Sequence, residues 1–318
     1  MCYGYDGHTA LCESLEKHGR SRRAVLRGAA ATAAGTALVG AGAAPASAKG
    51  KPKKAKKKRV PKDRISIQLY TVRDALGGTP GFDATLRAIA VDGYPRVEMA
   101  GYYGRTAREI RAFFSEIDIR ATSSHDGISA DERAMHAKFE NAVTLGQRFV
   151  NVPYLNSDSL SEWQRWADQM NKEARVAKTY GLAYGYHNHA HEFTIDLGGG
   201  LTPWQLFADE LDPSLVHLEA DLYWVVTGGL ESGAGVSDPE RFAIDTIKAA
   251  PQKVRQYHVK DKDPVTGDMA DLGTGFIDFK RIFRAHKVEE YIVENDTPDV
   301  TPLRTSEVGY NYLRNLRF

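Results

Sequence analysis

The sequence predicts a (β/α)8 barrel, on three observations. From Ile65 onward, eight short β-branched or apolar runs alternate with longer amphipathic segments; the eight units fill roughly 250 residues; and polar residues recur where the runs end. The runs read as strands are Ile65 to Tyr70, Arg96 to Ala100, Ile119 to Ser124, Phe149 to Tyr154, Leu182 to Asn188, Val216 to Tyr223, Val254 to Val259 and Tyr291 to Glu294. Helix starts are signalled separately. Thr106 with Glu109, Ser129 with Glu132 and Ser159 with Glu162 have the capping-box spacing, while Thr202-Pro203, Asp238-Pro239 and Thr301-Pro302 put proline at the first helical position behind a capping residue. Gly93 and Gly181 fall where helices should stop, because glycine accepts the left-handed conformation that closes them. A doubly wound open sheet is the alternative architecture. The chain shows no phosphate-cradling glycine fingerprint of the Rossmann or P-loop kind.

The chain of 318 residues is 42% hydrophobic, enough for one large core. Its formal net charge of +1 conceals an asymmetry: residues 1–64 hold 15 of the 42 Lys and Arg but only 4 of the 41 Asp and Glu, which leaves residues 65–318 at −10. An acidic body argues against nucleic acid as a partner, since displacing counterions from phosphates needs a basic face. Both cysteines, Cys2 and Cys12, precede the body, so a metal site there must be built from His, Asp and Glu.

Before the barrel, residues 21–28 read SRRAVLRG, with Arg22 and Arg23 ahead of a small apolar run, Ala29 to Ala44, that ends in Ala46-Ser47-Ala48. This resembles a twin-arginine export signal over residues 1–48, with Lys49 as the first mature residue, and implies export to the periplasm or beyond by the twin-arginine machinery. The run is mostly Ala and Gly, too weakly hydrophobic to favour a stable membrane anchor. Residues 49–62, KGKPKKAKKKRVPK, carry nine Lys or Arg, two Pro and no acid, and residues 49–64 read as a basic disordered linker before a domain at 65–318.

The densest chemistry lies in Tyr184 to Phe193, YGYHNHAHEF. On a strand, residues two apart share a face, so His187 and His189 point together; two neutral imidazoles can hold a cation and move a proton. On this stretch alone, hydrogen-bonded core histidines explain the pattern equally well. In a barrel, however, chemistry collects at the carboxyl ends of the strands. There the sequence puts Tyr70, Glu98, His125, His187 and His189, with Glu192 just beyond, then Glu219 and Asp221 on one face, His258 and Lys260 on another, and Glu294 last. Carboxylates converging on one axis repel unless a cation resolves the repulsion.

Together the segments IQLYTVRDAL, VEMAGYYG, YHNHAHEF, ADLYWV, YHVKD, LGTGFIDFK and VEND resemble the sugar phosphate isomerase/epimerase family of xylose isomerase-like barrels, over roughly Ile65 to Phe318. The resemblance implies one divalent ion, Mn, Co, Mg or Zn, held by Glu, Asp, His and Glu; Asp221, His258 and Glu294 match the last three. For the first, Glu192 is favoured as the carboxylate, with His187 and His189 beside it as catalytic histidines. If His187 ligates instead, His189 becomes the best acid/base candidate. The family's shared half-reaction removes a proton next to a carbonyl and stabilises the enediolate on the cation, with Lys260 placed to donate to the carbonyl oxygen. Tyr70, Glu98, His125 and Trp224 are the substrate-pocket candidates. An exported member more plausibly meets non-phosphorylated carbohydrate than a sugar phosphate. The expected function is therefore a metal-dependent isomerase or epimerase of a small carbohydrate. β-Elimination from a 3-keto-sugar or glycoside is the second expectation, and a non-enzymatic sugar-binding protein is the rival from another class. An endonuclease IV-like nuclease would need a richer zinc ligand set and a basic groove.

Overall fold

The computed structural model describes residues 58–318. The proposed export signal, most of the basic linker and both cysteines lie outside the described residues. Eight parallel strands close into one barrel: β1 (Ile65–Gln68), β2 (Arg96–Met99), β3 (Arg120–His125), β4 (Phe149–Val152), β5 (Ala183–His187), β6 (Val216–Asp221), β7 (Val254–Val259) and β8 (Glu290–Val293). Closure is made by β1 against β8, with Ile65, Ser66 and Ile67 beside Tyr291, Ile292 and Val293. Helices follow each strand and cover its outer face; among the described residues none is long and apolar enough to cross a membrane.

Five strands are shorter than the runs read for them, and in the first and the sixth a polar side chain ends the strand. The first stops at Gln68, whose side chain accepts from Tyr70 N–H and opens a 3-10 turn, Leu69–Val72. The sixth stops at Asp221, which caps the helix Leu222–Glu231 by accepting from Trp224 N–H. A helix-capping carboxylate so close to a strand end is how this fold turns the chain at the mouth.

The capping residues behave as their chemistry requires at Thr106, Ser159, Thr202, Asp238 and Thr301, each of which accepts a backbone N–H of the first turn. Ser129 does not. Asp131 caps the helix Glu132–Leu145 instead, and Ser129 N–H donates to buried Glu173 at 2.7 Å. A carboxylate two residues nearer the helix takes the orphan donors first. Gly93 and Gly181 both adopt positive φ at helix ends.

Residues 58–64, within the stretch read as linker, are packed: Val60 is buried and Lys58 exchanges two backbone hydrogen bonds with Phe318. The folded unit therefore begins ahead of Ile65, on the face where the strands start.

A barrel interior is ordinarily filled by branched aliphatic residues. Here it is polar. Gln68, Glu98, Asn151, Glu219, Gln256 and Glu290 are all fully buried. Asn151 Nδ2 donates to Glu219 at 2.7 Å and to Gln256 at 3.0 Å; Gln256 Nε2 donates to Glu290 at 3.2 Å. Room for this network depends on Gly185, where a Cβ would lie 2.4 Å from Asn151 Oδ1 and 2.6 Å from the His217 ring.

Burial raises the Glu290 carboxyl from 4.5 to about 7, against the opposing hydrogen bond from Thr122 and the charge of Arg96. A carboxyl whose folded-state pKa exceeds its unfolded value stabilises the fold fully below the unfolded pKa, and that stabilisation is lost as pH rises through about 7. Glu290→Gln keeps the shape without the ionisation. It is expected to reduce the loss of unfolding free energy between pH 5 and pH 8.5 by about 3 kcal/mol, read by urea titration at each pH. Parallel pH profiles for the two proteins would contradict it.

Candidate metal centre

At the carboxyl end of the barrel, alternation along β5 to β8 aims inward one ligating side chain from each: His187, Asp221, His258 and, one residue past β8, Glu294. One donor atom from each of the four lies within 4.8 Å of all the others, and all four residues are buried. His258 Nδ1 is 2.5 Å from Glu294 Oε2, and His187 Nε2 is 3.8 Å from Asp221 Oδ2. Asp221 Oδ2 is buried and has no hydrogen-bond partner of good geometry, the nearest cation being the Lys260 ammonium at 3.1 Å. Two imidazoles and two carboxylates converging, all buried, suit a divalent ion such as Mn, Co, Mg or Zn.

Glu192, expected to supply the first ligand, is not part of this group. The 3-10 turn His191–Phe193 carries its carboxylate behind β5, where it accepts from Tyr186 O–H at 2.6 Å and His189 N–H at 2.7 Å. Tyr186 packs on Phe207, on the helix side of the strand, whereas His187 faces the barrel. The one-residue alternation of a strand decides the matter: His187 occupies the place, and Glu192 fixes the loop behind it.

Lys260, two residues beyond His258, puts its ammonium 3.1 Å from Asp221, 2.8 Å from Glu294 and 3.2 Å from Asp296. Burial opposes its charge, but these carboxylates outweigh burial and hold it protonated well above its ordinary range. The charge on His258 is secured the same way: burial disfavours it, and Glu219, Glu294 and Glu98 outweigh burial. His189 is the opposite case. Burial, and then the Lys260 ammonium, lower its imidazole to about 3, so it is neutral, and its Nδ1 has no hydrogen-bond partner.

Above these residues opens a cavity of about 410 Å³ whose lining includes Tyr70, His125, Tyr154, His187, His189 and Lys260. Glu294 and Asp296 complete its acidic side. Of the expected substrate contacts, Tyr70 and His125 line it. Trp224 stands behind His189, ring centroids 5.4 Å apart, with Lys260 Nζ 5.6 Å from its ring. Glu98 lies deeper, taking Gln68 Nε2 at 2.7 Å and facing His258 Nε2 at 2.7 Å. It thus orients the His258 ring from the side away from Glu294, an arrangement in which carboxylates commonly support histidines that ligate metals.

Sequence reasoning missed Asp296 and Tyr154 in the cavity and Gln256 in the barrel interior, and it gave Glu219, noted beside Asp221, no role of its own. Glu219 was visible as the residue two before Asp221 in HLEAD, and Gln256 as the residue two before His258 in QYHVK. Polar residues at period two inside parallel strands signal a polar barrel interior. Asp296 lies past the end of its strand, where no periodicity applies, whereas Tyr154 was the last residue of the run read as the fourth strand and was given no role.

A closed (β/α)8 barrel with a His, Asp, His and Glu cluster at its mouth that could hold a metal ion defines the class of fold. The model of the xylose isomerase-like TIM barrel family matches residues 84–305, and the chain belongs to that family. Among solved structures, a sugar phosphate isomerase/epimerase from Parabacteroides distasonis is 21% identical, with a TM-score of 0.63 over 82% of this chain and 96% of that one. The IOLI protein with a bound zinc atom is 14% identical, with a TM-score of 0.57 over 78% and 96%. The probable 3-DHS dehydratase AsbF from Bacillus anthracis is 12% identical, with a TM-score of 0.57 over 79% and 99%. At these identities the likeness is one of fold. No match was found among curated proteins.

Proposed function

We propose that this chain is a divalent-metal-dependent isomerase or epimerase that removes a proton from carbon next to a carbonyl in a non-phosphorylated carbohydrate. One observation carries the reading: four convergent ligand side chains lie under a cavity that also presents a neutral histidine, His189, and a charged lysine, Lys260. His187, Asp221, His258 and Glu294 would hold the ion. When bound, a divalent cation polarises substrate oxygens and lowers the cost of developing negative charge.

The protein's own groups do the rest. His189, neutral and unpartnered at Nδ1, takes the substrate proton; Lys260 donates to the carbonyl oxygen as charge develops there. The aromatic faces of Tyr70 and Tyr154 at the cavity wall suit the C–H surface of a sugar ring. The lining disfavours a phosphate. Its one lysine is already engaged by three carboxylates, Asp221, Glu294 and Asp296, two of which line the cavity themselves. The similarity to structures named as an isomerase/epimerase and as a D-tagatose 3-epimerase-like protein supports the reaction type, and the likeness to a probable dehydratase supports β-elimination as its nearest variant.

The test is elemental analysis of purified protein, followed by C–H exchange in deuterated water across free keto-sugars, 3-keto-glycosides and sugar phosphates. Near-stoichiometric metal with exchange on a free sugar and none on its phosphate is expected. Protein that stays inert after addition of Mn, Co, Mg and Zn would overturn the reading in favour of sugar binding. Export is part of the proposal and rests on Arg22 and Arg23; exchanging both for lysine should retain the protein inside the cell.

A further inference from the structure

The geometry points to a second, nitrogen-rich cation position deeper in the barrel, formed by His125, His187, Glu219 and His258 and used in place of the outer one. Donor atoms of these four side chains also lie within 4.8 Å of one another. Two of them belong to both clusters, and they reach each through opposite ring atoms. His187 turns Nε2 toward Asp221 at 3.8 Å and Nδ1 toward Glu219 Oε1 at 3.5 Å. His258 turns Nδ1 toward Glu294, and its Nε2 lies 3.1 Å from Glu219 Oε1 and 2.7 Å from Glu98 Oε1, the bond a cation at the inner position would replace. His125 Nε2 completes the inner set, 2.8 Å from the same Glu219 oxygen.

A separate observation marks the inner position as built for a ligand. His187 is 2% exposed, and its Nδ1, aimed into the inner cluster, has no hydrogen-bond partner. A buried ring nitrogen without a partner costs free energy that a bound cation would recover. His125 lines the cavity, so the inner position is reached from the mouth. Glu219 is oriented by Asn151, which donates to its other oxygen at 2.7 Å, so that Oε1 faces the His125 and His258 rings with which it would share a cation.

The two positions exclude each other. A neutral imidazole carries one in-plane lone pair, and its tautomer decides which nitrogen has it. With the lone pairs of His187 and His258 turned outward, the ligand set has two nitrogens and two carboxylates; turned inward, it has three nitrogens and one carboxylate. Imidazole-rich sets favour Zn and carboxylate-rich sets favour Mn or Mg. The metal therefore selects its depth: Mn or Mg takes the outer position directly under the cavity, and Zn takes the inner one, deeper in the barrel. This inference shares two ligands with the proposed catalytic site but does not depend on the reaction assigned to it.

The experiment is calorimetric titration of the purified full-length chain, stripped of metal, with Zn²⁺ and with Mn²⁺ separately. It compares the native protein with His125→Ala, Glu219→Gln and Asp221→Asn. One equivalent of either metal is expected in the native protein. His125→Ala should weaken Zn²⁺ by about tenfold or more and leave Mn²⁺ unchanged, whereas Asp221→Asn should do the reverse. Glu219→Gln preserves hydrogen bonding and repeats the His125→Ala result should that variant fold poorly. If Asp221→Asn weakens both metals alike and neither inner variant weakens Zn²⁺, the inner position is refuted while the outer one stands. If the native chain binds neither metal, both positions fall.

Discussion

Metal-free protein carrying His258→Ala is expected to lose about 3–5 kcal/mol of unfolding free energy, the largest effect of any single substitution in the barrel. The imidazolium of His258 is fully buried between three carboxylates: Glu294 at 2.5 Å, Glu98 at 2.7 Å and Glu219 at 3.1 Å. Removing it deletes the charge that makes them tolerable away from water. Urea unfolding at neutral pH measures the loss. Added Mn²⁺ should stabilise the native protein by mass action and leave the variant where it was, since a ligand is gone. A variant as stable as the native chain would mean that the cluster is already neutralised by shared protons.

Lys260→Met is expected to separate catalysis from metal binding. The ammonium stands 2.8 Å from Glu294 and 3.1 Å from Asp221, both outer ligands, so it competes with a divalent cation for the same oxygens. Methionine has similar bulk and no charge. Mn²⁺ affinity should therefore rise in the variant, while C–H exchange on a responsive keto-sugar falls by about 10²–10⁴ through loss of the donor to the developing oxyanion. Exchange and titration on one preparation give both numbers. A fall in both together would show that Lys260 shapes the site instead of acting on substrate, and unchanged exchange would remove it from the reaction.

The barrel was legible because its signals are local: short apolar runs, capping residues such as Thr106 and Thr202, and glycines at helix ends need only a few residues of context. Asp221, His258 and Glu294 were legible because a strand's carboxyl end is where a barrel gathers its chemistry. Glu192 misled because its type fitted the ligand set, whereas position depends on which face of β5 the following turn returns to, and a 3-10 turn of three residues leaves no periodic trace. Glu98 was placed correctly at its strand end but one layer too high; depth in a barrel follows from the stagger between neighbouring strands, here with a register shift between β2 and β3 at Val97 and Glu98. Asp296 and Tyr154 belong to loops, whose paths are set by what they pack against.

The backbone pairing of Lys58 with Phe318 has a practical meaning for anyone handling the molecule. Both ends of the folded unit emerge side by side on the face opposite the cavity, because β1 starts there and the final helix, Pro302–Asn315, runs back to it. An affinity tag, a fluorescent partner or a bead attached at either end leaves the mouth pointing into solution, so immobilised protein should retain free access for small molecules. Joining the two ends by a short peptide would cost little, and new ends opened in a loop on that same face would give a permuted chain with its pocket undisturbed.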